Sequence, residues 1–167
     1  MRTVYESPLG CIIIESAQDA MGTRAIKRLD FAKEGEQTHH LPQATSTKAC
    51  AAISLCAQEL DEYFLGTRKT FSVPVMLEGT VFRERVWAEL AKIPYGVTIS
   101  YGELARRVGN NKASRAVGSA NGCNPISIII PCHRVIASDN TLGGYGGGLH
   151  RKVWLLRLET GMEYRQR

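Results

Sequence analysis

Apolar and polar residues first alternate along this chain and then recur at helical spacing, so the pattern itself separates the elements. The stretch Thr3 to Glu15 is β-rich, with Gly10 in a turn between Ser7-Pro8 and the run Cys11-Ile12-Ile13-Ile14, which predicts the start of a small sheet. After a polar stretch from Lys33 to Thr47, the set Ala49, Ile53, Cys56, Ala57, Leu60, Tyr63 and Phe64 returns every three or four positions. That spacing predicts an amphipathic structural helix between a Ser46 cap and Gly66. From Thr67 to Gly79, alternating Phe71, Val73, Val75 and Leu77 predict a strand followed by a linker. A domain boundary near Gly79 follows, with residues 1–79 in one domain and 80–167 in the next.

The second half reads differently. A helix begins at Thr80, carries Phe82, Val86, Trp87, Leu90 and Ile93 on one face, and stops at Pro94-Tyr95-Gly96. The next opens on Ser100-Tyr101-Gly102-Glu103, a capping box in which Ser100 and Glu103 would satisfy each other's exposed amides, and ends at Gly109. Asn110-Asn111 turns the chain into a short helix from Lys112 to Asn121, whose small residues permit close approach to another backbone. Helix, tight turn and helix read as a helix-turn-helix. Asn124-Pro125 ends that unit, because a residue before proline is pushed out of the helical region. An extended run from Ile126 to Ile130, a glycine-rich loop from Thr141 to Gly148, and a last helix from Leu149 to about Glu159 complete the chain. Five glycines within six residues point to backbone lying close to a ligand.

With 44% hydrophobic and 22% charged residues, the composition is that of an ordinary globular protein. Charge sharpens the division. Residues 1–79 hold 8 Lys and Arg against 10 Asp and Glu, net −2, whereas residues 80–167 hold 13 against 6, net +7. Such asymmetry is expected where one half faces phosphates. No apolar stretch reaches the roughly 18 residues of a membrane span, and no signal-peptide core follows Met1, so a cytoplasmic protein without membrane contact is expected. The five cysteines, Cys11, Cys50, Cys56, Cys123 and Cys132, are odd in number and form no Cys-x-x-Cys pair, which argues against a disulfide framework.

A buried cysteine is usually an inert small hydrophobe. Cys132 is set apart by its neighbours, His133 and Arg134. A free thiol is only about 3% thiolate at pH 7, so a dedicated nucleophile needs a base or cation beside it. Successive side chains on an extended strand point to opposite faces, so either the backbone turns at Pro131-Cys132 or a water bridges thiol and imidazole. Glu159 on the last helix is a reasonable carboxylate to orient the second imidazole nitrogen.

The run Pro131-Cys132-His133-Arg134-Val135, preceded by Arg115-Ala116-Val117-Gly118 and Asn124-Pro125 and followed by Gly144-Tyr145-Gly146-Gly147-Gly148, resembles the O6-alkylguanine-DNA alkyltransferases, also called methylated-DNA–protein-cysteine methyltransferases. The likeness spans Phe82 to Glu159. The first half matches only loosely, through Ser7-Pro8-Leu9-Gly10 and the helix before Gly66. The resemblance implies an α+β protein: a small N-terminal α/β domain of ribonuclease-H-like type, then a mostly helical winged helix-turn-helix domain.

It also implies a reaction and its residues. Cys132 would accept the alkyl group, with His133 its base through a water, Glu159 fixing the imidazole, and Tyr101 donating a proton to the departing guanine. The alkylated oxygen lies inside the duplex, so the nucleotide would have to swing out. Arg115 would replace the extruded base, with Ala116, Gly118 and Ser119 against the DNA, Asn124 as a hinge, and Arg134 as a further DNA contact. Tyr145, Gly146, Gly147 and Val135 would line the base pocket. Some members carry serine where this chain has Gly146, which implies a roomier pocket that accepts alkyl groups bulkier than methyl. The thioether product has no ready leaving group, so each molecule would react once, as a monomer on double-stranded DNA containing O6-alkylguanine, with O4-alkylthymine a second candidate lesion.

No cofactor is expected, and no metal. His39-His40 with Cys50 lacks a fourth zinc ligand at convincing spacing, so an exposed loop is favoured. Three other readings compete. A protein that binds alkylated bases without transfer would lack Cys132; a winged-helix regulator sensing electrophiles through its thiol would carry an extra metal-thiolate domain; a thiol hydrolase would turn over repeatedly on acyl substrates.

Overall fold

The computed structural model describes residues 1–47 and 49–164, and over these the chain divides into two compact units at Leu77/Glu78. In the first, strands β1 (Arg2–Ser7), β2 (Gly10–Gln18) and β3 (Arg24–Phe31) form an antiparallel sheet in that order. The β1–β2 turn is tied by Ser7, whose hydroxyl donates to the Gly10 carbonyl at 2.6 Å and accepts from Leu9 N at 3.1 Å. β3 adds to the two strands that periodicity predicts. Its apolar positions Ala25, Ile26, Leu29 and Phe31 are buried between charged Arg24, Lys27 and Arg28.

Helix α1 (Ala51–Phe64) buries Ile53, Cys56, Ala57, Leu60 and Tyr63, as the spacing requires, but it starts later than Ser46. The preceding chain is held against β1, where Val4 N donates to Pro42 O and Ala44 N to Val4 O, and Ala49 N closes a turn on Ser46 O. Cys50 therefore stands at the N-cap, without a side-chain cap. The strand expected after Thr67 shrinks to one bridge, Ile26 with Val75. The reason is that its amides are engaged elsewhere: Ser72 N and Val73 N donate to the buried Glu59 carboxylate, and Pro74 has no amide to give.

The second unit opens with α2 (Val81–Ala91), capped by Thr80 and burying Val86, Trp87 and Leu90. A two-residue strand β4 (Ile99–Ser100) leads into α3 (Tyr101–Arg107) and, after a turn, α4 (Ser114–Gly122). Ser100 caps α3 by accepting from Glu103 N at 3.0 Å. The expected box is only half formed, because the Glu103 carboxylate turns to Arg106 and Arg107. Trp87 Nε1 donates to Ala120 O at 2.9 Å, bolting α2 to α4.

The expected extension from Ile126 to Ile130 is instead a turn. Asn124 bends the chain back on itself: its Oδ1 accepts from Ile126 N at 3.1 Å and its Nδ2 donates to Ile130 O at 2.7 Å. Ile128 adopts a φ of 70°, a strained setting for a β-branched residue that the surrounding bonds must hold. A single 3₁₀ turn (Cys132–Arg134) then feeds β5 (Val135–Ile136), which pairs in parallel with β4. The glycine-rich loop leads to α5 (Leu149–Thr160).

Candidate active site

Helix α5 buries Lys152, Leu155, Leu156 and Glu159, a stripe spaced like any apolar helix face except that both ends are charged. At its end the Glu159 carboxylate receives His133 Nε2 at 2.9 Å, Arg134 Nε at 2.8 Å, Arg134 Nη2 at 2.9 Å and Gly96 N at 3.3 Å. Arg134 also donates to Ile93 O at 2.5 Å. Gly96 is confined to glycine by its φ of 74° and by the Glu159 carbonyl, 3.0 Å from where a Cβ would stand.

Burial alone would raise the Glu159 carboxyl, but hydrogen bonds and charge from His133 and Arg134 hold it well below the usual carboxylate range. Burial pushes the His133 imidazole below its ordinary value, against the opposing pull of Glu159. An ionised carboxylate can only accept, so Nε2 carries the ring proton and Nδ1 is the basic nitrogen. Nδ1 is buried and has no hydrogen-bond partner among the described residues.

The backbone turns at Pro131-Cys132 in a 3₁₀ turn, with Arg134 N donating to Pro131 O. Cys132 is buried, and Asn121 Nδ2 donates to its carbonyl at 3.3 Å. A cavity of about 330 Å³ is walled by Tyr101, Asn121 and Tyr145 together with Gly118, Gly122, Gly144 and Gly146. Tyr101 fits between glycines of α4 and the loop: a Cβ on Gly143 would come within 3.0 Å of its ring, and one on Gly118 within 3.7 Å. Burial, and then the charge of Cys132, push the Tyr101 phenol above its usual value. It therefore keeps its proton at neutral pH.

Arg115, Ala116 and Ser119 are exposed on α4, with Gly118 half-buried. Tyr101, Tyr145 and Gly146 line the cavity, and His133 meets Glu159. Other expected positions differ. Arg134 does not face DNA, because its buried guanidinium is taken up by Glu159 and the Ile93 carbonyl. Asn124 is also buried rather than presented to DNA, and it ties the end of α4 to the turn before Cys132, the place expected of a hinge. Val135 is fully buried and outside the cavity wall, and Gly147 is outside it too, its carbonyl accepting from Arg151 at 2.8 Å.

Two residues escaped the sequence reading. Lys152 is fully buried, its ammonium donating to Val135 O at 2.6 Å, to Leu142 O and to Gly144 O, so it clamps the glycine-rich loop onto β5. Burial pushes it down to about 8, opposed by the charge of Cys132. The signal was present, since a lysine seven residues before Glu159 falls on the same apolar face. Asn121, in the last turn of α4, had no comparable signal. No group of three or more His, Cys, Asp or Glu that could hold a metal occurs among the described residues.

Two family models match the chain: the ribonuclease-like domain of 6-O-methylguanine DNA methyltransferase over residues 1–77, and the DNA-binding domain of the same family over residues 81–161. A methylated-DNA–protein-cysteine methyltransferase of Methanosarcina acetivorans is 42% identical over 93% of this chain and 96% of its own. The constitutive one of Bacillus subtilis is 40% identical over 94% and 93%. Among solved structures, Mycobacterium tuberculosis OGT in complex with DNA is similar at 40% identity and a TM-score of 0.82, covering 98% of this chain and 94% of that one.

The Glu159 network has a pH signature. A carboxyl whose folded pKa lies below its unfolded value, about 4.3, stabilises fully above that value and loses its contribution as pH falls toward the folded one. Glu159→Gln should therefore be less stable than the parent at pH 7, with the gap narrowing as the pH falls from 7 to 3. Urea unfolding at both pH values measures it. A constant gap would contradict an ionised, bonded Glu159.

Proposed function

The chain belongs to the 6-O-methylguanine DNA methyltransferase family, and from that premise we propose how its own residues perform the reaction. The activity is DNA repair by direct reversal, in which the alkyl group of O6-alkylguanine in double-stranded DNA passes irreversibly to a cysteine of the protein. Cys132 is the acceptor. The observation that carries this assignment is the buried His133–Glu159 pair, whose histidine is the residue next to Cys132, together with a neighbouring cavity whose wall residue Asn121 donates to the Cys132 carbonyl.

In the step itself, His133 Nδ1 takes the Cys132 proton through a water. The sulfur attacks the alkyl carbon, an S–C bond forms, and the C–O6 bond breaks with its electron pair leaving on guanine. Tyr101 gives the departing base a proton. A depressed His133 pKa suits this role, because the imidazole is neutral and basic at pH 7. Attack requires an extruded nucleotide, and exposed Arg115 on α4, beside Ala116, Gly118 and Ser119, fills the space it leaves. Asn124 couples α4 to the turn carrying Cys132. No helix among the described residues is long and apolar enough to cross a membrane.

Mixing the protein with duplex oligonucleotide bearing O6-methylguanine should add one methylene to the peptide containing Cys132, one per molecule, by mass spectrometry. Cys132→Ala should bind the duplex without gaining mass; an unmodified Cys132 beside retained binding would sink the assignment. The glycine wall yields a second expectation. A Cβ on Gly146 would stand 3.6 Å from Gly122 O, so serine fits there but takes space from the cavity. Native protein should transfer methyl and benzyl groups at comparable rates, and Gly146→Ser should slow benzyl transfer more than methyl. Refusal of the benzyl adduct by the native protein would refute a roomy pocket.

A further inference from the structure

Asn121 lies in the cavity wall, is 4% exposed, and is only half used. Its Nδ2 donates to Cys132 O at 3.3 Å, while its Oδ1 is buried without a hydrogen-bond partner among the described residues. Chemistry fixes which amide atom is which. The Cys132 carbonyl can only accept, so the nitrogen faces it and the oxygen is left over. A buried acceptor without a donor is costly, and the cost is relieved when a ligand brings an N–H to it.

We propose that Asn121 is a specificity-determining residue whose Oδ1 accepts a hydrogen bond from the exocyclic 2-amino group of the extruded O6-alkylguanine. The inference rests on the alkyl-transfer reading above. Alkylation at O6 leaves guanine N1 without a hydrogen; N3 and N7 are acceptors, and N9 is bonded to the sugar. The 2-amino group is then the only N–H donor on the base. O4-alkylthymine has none, since N3 loses its hydrogen and N1 carries the sugar. An acceptor in this wall therefore separates the two lesions. It also complements Tyr101, which offers a donor from the same wall. Because the Asn121 amide is one hydrogen bond from the Cys132 backbone, the amine is read in the frame that carries the sulfur.

The test compares single-turnover transfer from duplexes carrying O6-methylguanine, O6-methylhypoxanthine, which is the same purine without the 2-amino group, or O4-methylthymine. Native protein should prefer methylguanine over methylhypoxanthine by roughly tenfold or more, with O4-methylthymine also slow. In Asn121→Leu, similar in size but without the acceptor, the ratio of methylguanine to methylhypoxanthine should fall toward one. Loss of the Nδ2 bond to Cys132 would slow both purines alike and cancel in that ratio. A native ratio near one, or a ratio that survives in Asn121→Leu, overturns the proposal. The native comparison holds whether or not the variant folds. No transfer even from O6-methylguanine would overturn the alkyl-transfer reading, and the proposal with it.

Discussion

One buried carboxylate organises the second unit. Glu159 has no exposed side-chain surface, and removing it from water is tolerable only because His133, Arg134 and Gly96 all donate to it. The donors come from two separate parts of the chain. Gly96 and, through Arg134, Ile93 belong to the segment after α2, while His133 and Arg134 belong to the 3₁₀ turn. The Tyr95 hydroxyl donates to Leu158 O and its ring lies 5.8 Å from the Arg134 guanidinium carbon, adding two further ties between these segments. A carboxylate placed to orient one histidine thus also fixes the turn on which the cysteine sits.

A second buried charge works from the same helix face. Lys152 gathers three backbone carbonyls, one from β5 and two from the glycine-rich loop, and so holds the loop over the cavity. Glu159 holds the His133 side and Lys152 the glycine-rich loop, seven residues apart along α5. The cavity wall itself includes Tyr101, packed by Gly118 and Gly143, and Asn121, whose amide reaches the Cys132 carbonyl.

The elements with strong periodicity were legible: the first two strands, α1, α2, the helix pair α3–α4 and α5 stand close to where their apolar positions place them. What failed did so where a side chain outside the element captures its backbone. Glu59 takes the amides that would have made a strand near Val73, and Asn124 folds the run after Pro125 into a turn although Ile126, Ile128, Ile129 and Ile130 read as extended. At the site, Cys132, His133 and Glu159 stand out in the sequence because their chemistry is rare in that order, and the structure brings His133 and Glu159 together. Arg134 was misread because nothing in a local pattern distinguishes an arginine that meets phosphate from one that neutralises a buried carboxylate 25 residues away. Asn121 was missed for a related reason, since its meaning depends on one atom that is bonded and one that is not.

The central claim is that Glu159 holds His133 as a neutral imidazole with its proton on Nε2, leaving Nδ1 as the base for Cys132. Nitrogen-15 NMR of the ring in protein labelled at histidine measures this directly. At pH 7 the account predicts a protonated Nε2 and an unprotonated Nδ1 for His133, with the shifts of both nitrogens changed in Glu159→Gln. A doubly protonated ring at pH 7, or a proton on Nδ1, would contradict it.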